Sequence, residues 1–144
     1  MKIEFAKLSD AEEILKMLNG SSEVQTTSDS LDYDLEFVKT VISDKKLHIC
    51  LVARENDQVA GVLVALLWPK IKECFTVDLI VKLEFRKKGI GTSLNKFYEN
   101  ILKKRNVKGI TSFVLVDNKK MQKLKDKLHY KKGKKFYFYG KKIK

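Results

Sequence analysis

Three apolar stretches in immediate succession constrain the fold of this chain more than any other feature. From Leu47 to Ala53 every second residue is apolar, the polar Glu55-Asn56-Asp57-Gln58 interrupts, and Val59 to Trp68 resumes with β-branched and apolar residues. That pattern predicts a hairpin. Pro69 and the lysines beside it close the second strand, and Glu73 to Val81 supplies a third. Short connections between successive strands impose antiparallel pairing. The next elements break that mode. Ile90, Leu94, Phe97 and Ile101 recur at helical spacing from a start near Gly89, and Gly109 releases the chain into a strand over Ile110 to Val116. Strand, helix, strand implies a parallel, right-handed crossover. The expected fold is therefore α+β, a mixed sheet that is mostly antiparallel and ends in one parallel pair.

The flanks complete the sheet and its cover. Ile3 to Phe5 alternates as a short strand, and Ser9 to Glu12 has the S-x-x-E form of a capping box opening an apolar row at Ala11, Ile14, Leu15 and Leu18. Asn19 to Ser30 has no periodicity and reads as a loop, after which Leu31, Leu35, Val38 and Ile42 mark a second helix. Met121, Leu124 and Leu128 give a last helix, and Phe136 to Tyr139 a final strand. About four helices thus flank the sheet, and 144 residues are the size of one domain spanning residues 1–144.

The longest apolar run, Val59 to Trp68, is ten residues and contains Gly61, whereas a membrane helix needs about 18. No membrane partner is expected. Charges interrupt the start MKIEFAKLSD, so it lacks the apolar segment of a secretory signal and a cytoplasmic location is expected. Cys50 and Cys74 form no CxxC and have no histidine at metal spacing, which points to two buried thiols and no metal site. His48 and His129 have no acidic partner at useful sequence spacing and read as structural or surface residues. Trp68 is expected under the sheet or lining a cleft.

The net charge of +12 conceals a split. Residues 1–78 hold 9 Lys+Arg against 14 Asp+Glu, a net of −5, while residues 79–144 hold 21 against 4, a net of +17. A polyanionic partner of the second half follows, with nucleic acid, a membrane surface and a phosphate-bearing cofactor all qualifying on charge alone. The junction Arg86-Lys87-Lys88-Gly89-Ile90-Gly91-Thr92 narrows the choice. Two glycines spaced by one residue let the backbone approach a ligand closely, and the free N–H groups of a helix start face an anion with the positive end of the dipole. Three cations beside them suit a pyrophosphate better than one carboxylate. The segment lacks the G-x-x-x-x-G-K-[ST] of a P-loop and the complete G-x-G-x-x-G of a dinucleotide fold.

Arg86-Lys87-Lys88-Gly89-Ile90-Gly91 resembles the R/Q-x-x-G-x-G/A motif of the GCN5-related N-acetyltransferase (GNAT) superfamily. Upstream, Asp78-Leu79-Ile80-Val81 sits where that family often shows an acidic residue and L-x-V. Downstream, Asn118 to Tyr130 is similar to its N-x-x-A-x-x-L-Y-x-K-x-G-F segment. The likeness covers most of the chain and implies acetyl-CoA as co-substrate, lying where two parallel strands splay. It implies that the backbone of Leu79, Ile80 and Val81 pairs with the pantetheine arm and that amides of Lys87, Lys88, Gly89, Ile90, Gly91 and Thr92 hold the pyrophosphate beside the Arg86 cation. A carboxylate would deprotonate the amine nucleophile; Asp78 is the first candidate and Glu73 the second, although a strand-edge Asp78 also fits a cap or a lysine pair. The family's thiolate-protonating tyrosine falls at Lys125 and its glycine at His129. Lys125 is thus either a replacement acid or a solvated helix lysine, and Asn118 a cofactor contact, a helix cap or both. Tyr130 aligns with a core aromatic. The acidic stretch Asp29, Asp32, Asp34 and Glu36 lies where the family builds its acceptor site, which would attract a cationic amine; a solvated helix start is the competing reading.

The function so implied is an N-acetyltransferase moving an acetyl group from acetyl-CoA to a primary amine by direct attack on the thioester. The acceptor is open among a protein N-terminus, a lysine side chain, a polyamine and an aminoglycoside. The alternative is a basic nucleic-acid-binding module on a catalytically silent acetyltransferase scaffold.

Overall fold

A computed structural model describes residues 1–21 and 33–144. The strands are β1 (Lys2–Phe5), β2 (His48–Glu55), β3 (Gln58–Trp68), β4 (Glu73–Val81) and β5 (Gly109–Ser112). The helices are α1 (Ala11–Asn19), α2 (Leu35–Ser43), α3 (Ile90–Lys104) and α4 (Lys119–Lys127). Strand order is β1-β2-β3-β4-β5, antiparallel as far as β4 and parallel between β4 and β5. The mixed sheet expected from the sequence is the sheet observed.

The β2–β3 hairpin turns through Asn56 and Asp57, whose φ values of 48° and 66° are the left-handed pair of a two-residue turn. Alternation along the strands divides the core. Cys50, Val52, Val62 and Val64 pack under α1 and α2, while Leu51, Ala53, Leu63 and Ala65 pack under α3 with Ile90, Leu94 and Tyr98. At Gly61 a Cβ would meet Ile90 Cγ2 and Leu94 Cδ1, both at 3.1 Å, so a glycine in mid-strand lets α3 lie directly on the sheet.

Four expectations are corrected. The first α-helix begins at Ala11 behind a 3-10 turn over Leu8–Asp10, not at Ser9. The Asp10 carboxylate is committed to the Lys7 amide at 2.8 Å and to the Arg54 guanidinium at 2.7 and 3.0 Å, so it replaces the expected Ser9–Glu12 box. β5 stops at Ser112, leaving Phe113, Leu115 and Val116 exposed. Residues 136–139 form no strand; Phe136 and Phe138 rest edge-on against Phe113, each with 6.4 Å between ring centroids. Trp68 ends β3 half-exposed rather than under the sheet. Asp34 caps α2 by accepting from the Phe37 amide at 2.8 Å, whereas Leu31, Asp29 and Asp32 lie outside the described residues.

Both cysteines are buried and free. Among the described residues no helix is long and apolar enough to cross a membrane.

Candidate active site

Pairing between β4 and β5 runs from Glu73–Gly109 to Thr76–Ser112 and stops there. On its other side β4 stays paired with β3 as far as Val81. Val64 pairs with Asp78 and Ala65 with Thr76, so Val77 is an extra residue, a β-bulge at the point where β5 departs. From Val77 to Val81 the β5-facing edge of β4 therefore has no partner strand. Leu79, Ile80 and Val81, which the family resemblance implies for the pantetheine arm, lie on this edge.

The cradle closes the far end of that edge. Arg86 is extended, Lys87 is left-handed at φ 63°, and Gly89 is left-handed at φ 77°. Two left-handed residues in three turn the backbone sharply between β4 and α3. The first helical bond of α3 is Ser93 N–H to Gly89 C=O at 3.0 Å, and no amide from Lys87 to Thr92 donates to any described residue. A Cβ at Gly89 would meet nothing within 4 Å, so glycine serves the backbone angle there. Gly91 is small for the opposite reason: a Cβ would lie 3.2 Å from Leu124 Cδ2 and 4.0 Å from Leu79 Cδ2, where α4 closes onto α3 and β4. Arg86 is used locally, its Nε donating to Val81 C=O at 2.9 Å and tying the loop to the end of β4. Lys88 sits over the Phe85 ring at 5.5 Å, and Lys87 and Lys88 are exposed.

Asp78 lies on the α1–α2 side of the sheet. Its Oδ2 accepts from the Tyr33 hydroxyl at 3.4 Å, and burial pushes its carboxyl up to about 6 despite that bond. Tyr33 is in turn pushed up to about 12, first by burial and then by Asp78, so it remains a donor through the neutral range. Its position is fixed twice. Asn19 at the end of α1 bonds both the N–H and the C=O of Tyr33, at 3.1 and 2.9 Å, and the Tyr33 ring stacks on Phe37 at 4.4 Å. Glu73 is not brought to this place. It starts β4 opposite Gly109, its carboxylate where a side chain on that glycine would project, and five residues at about 3.3 Å each separate it from Asp78.

Lys125, on α4, is buried with 7% exposure, which removes the solvated-lysine reading. Its Nζ has no hydrogen-bond partner and stands 4.2 Å above the Tyr130 ring. Burial lowers its pKa to about 8 although Glu99 on α3 opposes the shift. The Tyr130 hydroxyl is likewise buried without a partner. Below them Tyr98 donates to Cys74 Sγ at 2.9 Å and receives from Thr76 Oγ1 at 3.3 Å. Asn118 caps α4 through its side chain, which accepts from the Met121 amide at 3.1 Å. His129 takes φ 66° just past α4, where Tyr130 N–H reaches back to Lys125 C=O at 3.0 Å; this is the left-handed closing position that glycine favours. His48 does have an acidic neighbour, Asp44, at 3.6 Å.

Sequence reasoning overlooked Tyr33, because its contact with Asp78 spans 45 residues, with α2 and the β2–β3 hairpin between them. Only the folded chain, in which Asn19 at the end of α1 holds Tyr33 over β4, discloses it. It also could not distinguish a buried Lys125 from a solvated one, since α4 reads as polar on nearly every face.

A search of curated proteins finds no match. Solved structures match in fold. An aminoglycoside 6'-N-acetyltransferase from Acinetobacter haemolyticus superposes with a TM-score of 0.76 at 20% identity, covering 100% of both chains. An N-acetyltransferase from Staphylococcus aureus Mu50 gives 0.75 at 20%, covering 90% of this chain and 82% of the other. AAC(6')-Iy, bound to a bisubstrate analogue built on CoA, gives 0.78 at 14%, covering 99% and 98%. The sequence profile of the acetyltransferase (GNAT) family matches residues 11–130. With the cradle, the bulged strand and the splay all inside that span, this chain belongs to the acetyltransferase (GNAT) family.

Proposed function

We propose that the protein is an N-acetyltransferase that moves an acetyl group from acetyl-CoA to a primary amine by direct attack on the thioester. The observation that carries the reading is the row of uncommitted amides from Lys87 to Thr92 at the head of α3. The first N–H groups of a helix have no partner within it, and here they follow two left-handed residues at the end of an unpaired strand edge, where a pyrophosphate gains both hydrogen bonds and the helix dipole. The unpaired edge of β4 from Val77 to Val81 extends from that point and offers ladder groups to the amide-containing arm of the same molecule.

Asp78 then serves as the base. A carboxyl held near 6 is ionised at neutral pH yet basic enough to take a proton from an incoming ammonium, directly or through one water. Lys125 takes the place of the acid. Its ammonium can hand a proton to the leaving thiolate and recover it from solvent, because at about 8 both forms are populated near neutrality. The amine acceptor is a small cationic molecule. Supporting this are the acidic balance of residues 1–78 and the neighbouring folds whose substrates are aminoglycosides.

The test is a melting shift with acetyl-CoA and CoA, followed by an amine screen read by release of free thiol. Binding at about 100 times Kd should stabilise the fold by about 2.7 kcal/mol. A melting temperature unmoved by any acyl-CoA sinks the proposal.

A further inference from the structure

We propose that Lys125 is itself an acetyl acceptor, so that the protein acetylates its own α4 when acetyl-CoA is bound and no amine occupies the acceptor side. The inference rests on the acetyl-CoA reading above, and goes beyond it by adding a second, internal product.

The geometry is specific to this lysine. Among the described residues it is the one buried lysine, in a chain with 30 Lys+Arg. Its predecessor Leu124 packs on Gly91 in the first turn of α3, and Leu79 of the unpaired stretch of β4 reaches the same glycine, so Lys125 is one residue from the point where α3, α4 and that edge meet. From there the Lys125 side chain turns inward. Its Nζ stands 4.2 Å above the Tyr130 ring, feels the charge of Glu99 on α3, and has no hydrogen bond to hold its lone pair or its protons. A buried amine without a partner costs free energy that a purely structural position would have shed. The desolvation that creates this cost also frees the nucleophile: with a pKa of about 8 rather than 10.5, the neutral amine at neutral pH is a few hundred times more abundant than on a solvated lysine.

The reaction balances without a further reagent. The Nζ lone pair attacks the thioester carbonyl carbon, the N–C bond forms and the C–S bond breaks. The electron pair leaves on sulfur, and the proton shed by nitrogen ends on that thiolate, giving acetyl-lysine and CoA with a free thiol. The amide formed is neutral and fits an apolar pocket better than an ammonium does. It also removes the proposed proton donor, so the modification limits the enzyme's own turnover.

The experiment incubates the purified protein with acetyl-CoA alone, maps acetylated lysines by proteolysis and mass spectrometry over time, and measures CoA binding by calorimetry in parallel. Lys125 should be modified at least about tenfold faster than any exposed lysine, as expected for a positioned nucleophile. Excess CoA should suppress Lys125 modification and leave the slow surface background. Transfer activity should decay in step with modification. CoA binding with Lys125 unmodified, or modified no faster than the surface lysines, overturns self-acetylation and leaves the acetyltransferase reading standing. Absence of CoA binding overturns both.

Discussion

The Tyr33–Asp78 contact makes a prediction whose sign and size follow from the site. Tyr33→Phe deletes the hydroxyl that donates to Asp78 at 3.4 Å and keeps the ring that stacks on Phe37 at 4.4 Å, so the change is confined to one hydrogen bond. That bond lowers the Asp78 pKa against the larger effect of burial, and its loss must raise the pKa further above about 6. A hydrogen bond to a charged group is worth about 1.5–3 kcal/mol at good geometry, and 3.4 Å is the long limit, so about 0.7 kcal/mol is a fair value. At 1.36 kcal/mol per pKa unit this is a shift of about half a unit.

The assay is the pH profile of kcat/KM with a fixed amine. A base must be ionised, so the acid limb falls as pH drops through the Asp78 pKa. Moving that pKa up by half a unit lowers the ionised fraction about 2.5-fold near pH 5.5 and by under about a tenth near pH 7.5. Tyr33→Phe should therefore be nearly silent at neutral pH and impaired in acid. Asp78→Asn should lose about 10²- to 10⁴-fold and flatten the acid limb, and adding Tyr33→Phe to it should change nothing further. An acid limb that stays in place, moves down, or falls by one factor at every pH would refute the assignment of Asp78 as base.

Three further outcomes are expected. Lys125→Met replaces a buried, unpaired amine by an apolar chain of similar length; it should stabilise the fold at pH 7 by about 1–3 kcal/mol while lowering kcat and removing the alkaline limb near 8. The sign follows from linkage: the folded pKa lies below the unfolded one, so the wild type binds fewer protons when folded and gains stability as pH rises from about 8 toward 10.5, which chemical denaturation at the two ends will check. His129→Gly relieves a left-handed backbone angle of 66° and should raise stability by about 1 kcal/mol, or roughly 3 °C in Tm by calorimetry, with activity intact.

Much of this architecture is written locally. Alternation over Leu47–Ala53 and the long apolar run after Gln58 each carry their own period, and Asn56-Asp57 supplies the left-handed turn that joins them, so the hairpin is legible without tertiary context. The cradle is legible for a similar reason: Gly89 and Gly91 are demanded by one backbone angle and one close approach within a few residues. The bulge is not. Val77 looks like any β-branched strand residue, and what makes it an extra residue is how Val64 and Ala65 choose partners across the sheet. Asp78 could be proposed from its type and place, but its raised pKa depends on α1 and α2 covering it, and that packing is invisible in a list of residues. Ser9 and Glu12 match a capping box in spelling, yet an arginine 44 positions from Asp10 decides which carboxylate holds that turn.

The C-terminal residues show where alternation stops being informative. Phe136 to Tyr139 has the period of a strand, and Phe136 and Phe138 do share a side, both meeting Phe113. Period reports which side chains share a face; a strand also needs an edge whose N–H and C=O groups are free and in reach. β5 is paired with β4 over only four residues, and beyond Ser112 the chain turns into exposed positions that offer no regular edge. Aromatic contacts can gather the two segments, but T-shaped pairs at 6.4 Å fix neither register nor direction. A local pattern therefore becomes a strand only when a partner strand is extended beside it, and the same shortness of β5 that denies residues 136–139 a ladder leaves β4 open from Val77 onward, the edge on which the proposed site is built.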